Sequence, residues 1–289
     1  MKMYAFNKFL AYLLYAIVLG LIFKHDQVQG QIKVMTFNIR LDHAGDGEHN
    51  WQFRKSEASE LINQKQVDIV GTQEVLKNQL DDLLTGCSSY ASVGVGRFDG
   101  KEAGEYSAIL YRRERFEVLE SGNFWLSERP DVAGSKGWDA ACERVVSWAK
   151  FKDLKSGKQF VFLNTHFDHI GVEARKKSAL LLLAKAKMIA GELPVILTGD
   201  FNGTPDSEPV KLIINSGWLA DAGKLARLST GPQWSFHDFG RLAVEQRPLI
   251  DFIFVTDHFE VMSYENIFAQ IGNTFHSDHN PILVELQFN

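Results

Sequence analysis

The stretch Phe275-His276-Ser277-Asp278-His279-Asn280-Pro281 sets an Asp-His pair between a polar turn and a fresh apolar run, Ile282-Leu283-Val284. A strand begins at such a boundary, and its first side chains can line a cleft at the strand's end. Alone, the triplet Ser-Asp-His carries little. Working outward, four further clusters of acid, amide or histidine lie at the polar end of an apolar run: Phe37-Asn38, Gln73-Glu74, Thr165-His166 and Gly199-Asp200-Phe201-Asn202. Together they read as one metal-centred hydrolytic site.

The segments between these junctions alternate in type. Residues 32–37 alternate as a first strand, and residues 51–64 carry Trp51, Ala58, Leu61 and Ile62 at helical spacing. Residues 67–70 form a buried strand ending at Gly71. A β-rich centre follows, with strands at 106–111, 116–119, 145–151 and 159–164, the last two joined by the turn Lys155-Ser156-Gly157-Lys158. Residues 173–190 make a strong helix, stopped by Gly191 and Pro194. A short strand at 194–198, a helix at 209–216 and strands at 249–255 and 281–286 complete the chain. Helices in both halves with hairpins between predict two mixed sheets packed face to face, helices outside.

Each cluster has a chemical and a plainer reading. In extended chain Asp200 and Asn202 share a face, so the carboxylate can take a proton from water while the amide donates to a phosphate oxygen. Otherwise they only start the turn Gly203-Thr204-Pro205. Glu74 is a hard-cation ligand or an acid at a helix N-terminus. Asn38 binds the metal, orients Glu74, or ends a strand. His166 is a donor for developing phosphate charge, with Asp168 and His169 on the substrate side or in a solvated loop. Asp251 stands inside the apolar run Leu249-Ile250-Asp251-Phe252-Ile253-Phe254 and needs a partner, which a histidine would supply. Arg144 offers a fork to phosphate or a surface ion pair. Trp125, Trp138 and Trp234 are candidates for the cleft mouth.

Of 289 residues, 45% are hydrophobic and 23% charged, without repeat or linker, as for one globular domain at 31–289. Residues 1–30 differ. Lys2 and Lys8 precede an apolar run at 9–23, and Val28-Gln29-Gly30 gives a small-residue exit. This is a secretory signal pattern; the alternative is a tether formed by residues 9–23. Removal takes away Lys2, Lys8, Lys24 and Asp26, moving the formal net charge from −5 to −7. Such acidity disfavours passive coating of nucleic acid. Cys87 and Cys142, the only cysteines, lie in no Cys-x-x-Cys, and export would permit a disulfide between them.

With these residues assembled, the chain resembles the endonuclease/exonuclease/phosphatase superfamily of metal-dependent phosphoesterases, of the deoxyribonuclease-I-like kind. The motifs Phe37-Asn38, Gln73-Glu74, Asn164-Thr165-His166, Gly199-Asp200-Phe201-Asn202, Ile250-Asp251-Phe252 and Ser277-Asp278-His279 appear in family order. Phe124-Trp125-Leu126-Ser127-Glu128, Gly137-Trp138-Asp139-Ala140-Ala141 and Thr165-His166-Phe167-Asp168-His169 are similar to a bacterial subgroup of exported hydrolases. The resemblance implies a four-layer α/β sandwich, two packed mixed β-sheets flanked by helices. It implies Mg2+ or Mn2+ on Glu74, Asn38 and Asp278, and a water positioned by Asp200 and Asn202. His166 and His279 contact the phosphate, with His279 held by Asp251. Glu105 pairs with His166, and Arg144 contacts phosphate. The resemblance implies a phosphoester substrate: a small molecule, a lipid headgroup or a nucleic acid. No stable protein partner is expected, and the chain reads as a monomer.

Mass spectrometry of the native N-terminus is expected to find Gln31 as the first residue. Recovery of an intact 1–30 segment in the membrane fraction would assign the tether instead.

Overall fold

The structure, a computed structural model, describes residues 30–268, 270–271 and 274–289. The expected signal or tether, Gly30 apart, lies outside the described residues. Strand β1 (Gln31–Asn38) runs through a 3₁₀ turn (Ala44–His49) into helix α1 (Trp51–Gln64), then β2 (Ile69–Gln73), α2 (Lys77–Gly86), β3 (Tyr90–Val93) and β4 (Ile109–Arg112). A meander of β5 (Phe116–Trp125), β6 (Val145–Asp153) and β7 (Gln159–His166) leads to α3 (Val172–Ala190), β8 (Val195–Asp200) and α4 (Glu208–Ile214). Next come β9 (Ala220–Asp221), α5 (Ala222–Leu225) and β10 (Leu228–Thr230). A second 3₁₀ turn (Val244–Gln246), β11 (Asp251–Val255), β12 (Phe259–Asn266), the hairpin β13 (Gln270–Ile271) and β14 (Thr274–Phe275), and β15 (Ile282–Phe288) close the chain.

One sheet has the order β10-β12-β15-β1-β2-β4-β3 and the other β5-β6-β7-β8-β11-β9. Both are mixed: β1 lies parallel to β2 and antiparallel to β15, and β7 lies antiparallel to β6 and parallel to β8. Side-chain alternation then builds the layers. Ile32 and Val34 of β1 point between the sheets against Phe160, Phe162 and Ile253, while Met35 and Phe37 point outward onto Trp51, Ile62 and Leu83 of α1 and α2. On the far side Val161, Leu163 and Phe254 meet Ala179, Leu182 and Ile213 of α3 and α4. Central strands are therefore covered on both faces, which is why they read as unbroken apolar runs. The four-layer α/β sandwich implied by the family resemblance is the observed fold.

Boundaries moved where tertiary pairing overrode pattern. The expected strand at 106–111 starts at Ile109, because Tyr106 is drawn into bridges with Val75 and Gly96. Strand β12 was not foreseen: its half-buried Glu260, Ser263 and Glu265 mask the alternation, and β10 and β15 flank it. Cys87 is buried and Cys142 half-buried, and both thiols are free.

Beneath the C-terminal ends of β1, β2, β7 and β8 the interior turns polar. Gln73 Nε2 donates to Asn164 Oδ1 (2.7 Å) across the sheets and to Thr36 Oγ1 (3.1 Å). Asn164 Nδ2 donates to the carbonyls of Thr72 (2.8 Å) and Ala108 (3.0 Å), and Thr198 Oγ1 donates to Asn164 Oδ1 (2.9 Å). Gly71 is required at this crossing, since a Cβ there would stand 2.0 Å from Thr198 Oγ1 and 2.6 Å from Asn164 Oδ1. Gly71→Ala is expected to lower stability by about 2–4 kcal/mol in chemical denaturation, through overpacking and lost buried hydrogen bonds. A loss below about 0.5 kcal/mol, the range of an ordinary surface change, would show that the sheets part without strain.

Candidate active site

Strand register brings the junction residues to one rim. Asn38 pairs with Gln73 at the ends of β1 and β2, and His166 pairs with Asp200 at the ends of β7 and β8. Asp251 lies opposite Asp200 at the start of β11, and His279 bridges to Phe236 just before β15. These ends open into a cleft of about 720 Å³ whose walls include Arg40, Glu74, Arg144, His166, Asp200 and His279. Four residues on its wall, Arg40, Glu74, Asn202 and Asp238, hold φ between 45° and 62°. Left-handed backbone at non-glycine residues is costly and collects where surrounding structure fixes a functional geometry.

Asp200 is the floor of the site, 1% exposed. Its oxygens accept from Asn38 Nδ2 (3.0 Å) and from the Asn202 amide (2.9 Å). His166 Nε2 stands 3.5 Å away and His279 Nε2 3.8 Å away. Burial, then the charge of Asp251, pushes the Asp200 carboxyl up to about 7. His279 Nδ1 donates to Asp251 Oδ2 at 2.8 Å, the partnership expected for a buried acid. Burial disfavours the imidazolium, but Asp251, Asp200 and Asp278 outweigh it and lift His279 to about 10. His166 behaves oppositely: burial, then Arg144 and Arg97, holds it well below the ordinary histidine value.

Several expected roles change. Asn202 Nδ2 donates to His166 Nε2 (3.0 Å) and to the Phe167 carbonyl (2.9 Å), so its amide braces the site and has no proton left for a phosphate. The same bond leaves Nδ1 as the His166 donor. Glu105 does not hydrogen-bond that nitrogen, which lies 4.0 Å from it; Arg97 takes its oxygens at 2.8 and 2.6 Å. Asp168 is no cleft residue. Its oxygens accept the amides of Cys142 (3.0 Å), Ile170 (3.0 Å) and Gly171 (2.7 Å), which outweigh burial and hold it below the usual carboxylate range. It lies 3.5 Å from Arg144 Nε, and Arg144 Nη2 meets His169 Nδ1 at 3.0 Å, so Arg144 and the exposed His169 line the substrate side. None of Trp125, Trp138 and Trp234 lines the cleft; Phe236 does, its ring 4.9 Å from that of His279.

For a divalent cation the donors divide clearly. Glu74 accepts from Asn38 Nδ2 (3.1 Å) and the Leu41 amide (3.1 Å) with lone pairs to spare. Among the described residues Asp278 accepts only from Ser277 Oγ (3.1 Å), and burial, with Glu74 adding its charge, pushes it up to about 6. Two under-neutralised oxygen ligands suit Mg2+ or Mn2+. Asn38 turns its amide to Glu74 and Asp200 and its carbonyl to the Arg40 amide (3.0 Å), so it orients Glu74. Asp200, Asp251 and His279 also lie within 4.8 Å of one another, but the Asp251–His279 bond occupies that set. The neighbouring Cys142, Asp168 and His169 trio is closed off by the bonds on Asp168 and Arg144.

Arg40, Arg97 and Phe236 were not singled out in the sequence. Arg40 and Arg97 look like any surface arginine, and Phe236 follows Ser235 in a turn-rich stretch. No local signal separates them from their plainer roles.

The profile of the Endonuclease/Exonuclease/phosphatase family matches residues 35–279. The structure superposes on an endonuclease/exonuclease/phosphatase from Bacteroides vulgatus with TM-score 0.87 and 48% identity, covering 90% of this chain and 99% of that one. A mannosyl-6-phosphatase from Bacteroides thetaiotaomicron gives TM-score 0.85 and 36% identity, covering 89% and 100%. An uncharacterized protein of Acanthamoeba polyphaga mimivirus is 30% identical over 162 residues, 53% of this chain and 60% of that relative, so the match spans under two thirds of its length. The chain belongs to the endonuclease/exonuclease/phosphatase family.

Proposed function

We propose that the protein is an exported, divalent-metal-dependent phosphoesterase that hydrolyses a phosphate ester of a small molecule by in-line attack of water. The observation that carries this reading is Asp200, a buried carboxylate lifted to about 7 on the cleft floor, with two imidazoles within 3.8 Å. A base tuned near neutrality suits proton abstraction from water. Glu74 and Asp278 would hold Mg2+ or Mn2+, which when bound supplies charge stabilisation to the phosphoryl oxygens. Asp200 accepts the water proton as the new P–O bond forms. The ester P–O bond breaks, the leaving oxygen takes up a proton from solvent water at the open cleft, and Asp200 returns its proton to solvent. His279, held by Asp251, donates from Nε2 to a phosphoryl oxygen as negative charge grows. Asn202 braces Asp200 through its backbone amide and His166 through its side chain.

A small substrate is favoured over a nucleic-acid strand by charge. The formal net charge is −5, and Arg97 and Arg144 beside the cleft are already committed to Glu105 and Asp168. Little unpaired positive charge is left for a phosphate backbone. The likeness to a mannosyl-6-phosphatase supports a sugar monophosphate as the first class to try. A panel of sugar phosphates, inositol phosphates, sphingomyelin, RNA and plasmid DNA with Mg2+, Mn2+ or chelator tests it. Turnover confined to nucleic acid and falling steeply with salt would replace this reading with a nuclease.

Glu74→Gln is expected to lose roughly a hundredfold or more of the metal-dependent turnover, together with the thermal stabilisation that Mg2+ gives the wild type. Full activity in this variant would remove Glu74 from the site. His279→Ala should cut kcat by roughly a hundredfold or more, as for loss of a donor to developing charge. A loss of only a few fold would leave the phosphoryl oxygen without its assigned donor.

A further inference from the structure

Arg40 is used by no step above, yet it is a firmly fixed cation on the cleft wall. Its Nε and Nη2 donate to the two oxygens of Asp46, each at 2.9 Å. Its amide donates to Asn38 Oδ1 (3.0 Å), and its carbonyl accepts from Gln79 Nε2 (2.9 Å). So clamped, in left-handed backbone at φ 58°, the guanidinium lies 3.9 Å from Glu74 Oε2 and 3.9 Å from Asp278 Oδ2. Arg54, the other cation nearby, is spent on the carbonyls of His49, Ile39, His276 and Arg40, and ties the loops together.

We propose that Arg40 is a positioning residue of the cation site: a fixed counter-charge, aimed by Asp46, that holds Glu74 and Asp278 in place before a divalent ion arrives and weakens that ion's binding once it does. The inference rests on the metal reading of Glu74 and Asp278. Its physical basis is simple. Two carboxylates facing one space repel, and a guanidinium in contact range relieves them. The same charge repels an incoming divalent ion. The fork onto Asp46 matters because a tethered guanidinium cannot swing away when the ion binds. Tempered affinity suits a site whose ion must tolerate product leaving as a phosphate anion.

The test is Mn2+ and Mg2+ titration by calorimetry on wild type, Arg40→Gln and Arg40→Lys, with thermal unfolding in chelator and in saturating Mg2+. Arg40→Gln is expected to bind the ion on the order of tenfold more tightly. It should melt lower than wild type in chelator and return to near the wild-type midpoint in Mg2+. Arg40→Lys, which keeps the charge, should bind the ion as wild type does within a few fold. Equal or weaker ion binding by Arg40→Gln overturns the inference, and so does a variant that stays unfolded in saturating Mg2+. A wild type that binds neither ion overturns the metal reading instead, so the two failures are distinguishable.

Discussion

The fold hangs on an amide pair buried between two sheets. Gln73 of β2 and Asn164 of β7 face each other across the sandwich, and Gln73 Nε2 reaches Asn164 Oδ1 at 2.7 Å. Burying two primary amides in an interior built from Phe160, Phe162 and Ile253 is unfavourable unless their donors are met. All four N–H donors are: Thr36, Asn164, Thr72 and Ala108 supply the acceptors. The network therefore admits one spacing and one register of the sheets. Dispersion alone would tolerate several, because apolar layers slide with little penalty, whereas a broken buried hydrogen bond costs the desolvation of both partners.

That single spacing is what the cleft needs. One layer above the amides, Asn38 of one sheet donates to Asp200 of the other at 3.0 Å and to Glu74 at 3.1 Å. A shift between the sheets would separate the carboxylate on the floor from the one on the wall. Four cations at the rim are each held by a carboxylate in the same manner: His279 by Asp251, Arg144 by Asp168, Arg97 by Glu105, and Arg40 by Asp46. Pairs fixed in advance do not need to reorganise when charge moves, and that is where electrostatic catalysis gains most. The strained backbone at Glu74 and Asn202 belongs to the same design, since the packed strands below them absorb its cost.

Much of this was legible because burial and chemistry coincide at strand ends. An acid inside an apolar run, Asp251, must have a partner, and the partner is a histidine from a motif 28 residues away. Trp51 to Gln64 and the helix ending at Gly191 announced themselves by period and cap, and both end where expected. Strand β12 stayed hidden because a strand between two others in a half-solvated sheet region can carry Glu260, Ser263 and Glu265 without penalty. Side-chain destinations were the harder part. Asn202 and Asp168 have the right chemistry to meet substrate, and only coordinates show that their polar atoms are already spent on neighbours. Arg40 is the converse case, an ordinary residue given its place by Asp46, six positions on, which the sequence offers no reason to pair with it.

The site is thus divided by depth. The floor residues sit on strand ends and are locked by the amide network, so their chemistry is a property of the sandwich itself. The mouth is another matter: Cys142, His169, Thr204, Phe236 and Asp238 all come from connections between elements. Connections can change without disturbing the sheets, whereas Asn38, Glu74 and Asp200 cannot move independently of them. Residues of the mouth can therefore vary while the floor keeps its geometry. A family of shared fold and varied substrates follows from that separation, since the constraint that fixes the reaction does not reach the residues that meet the rest of the molecule.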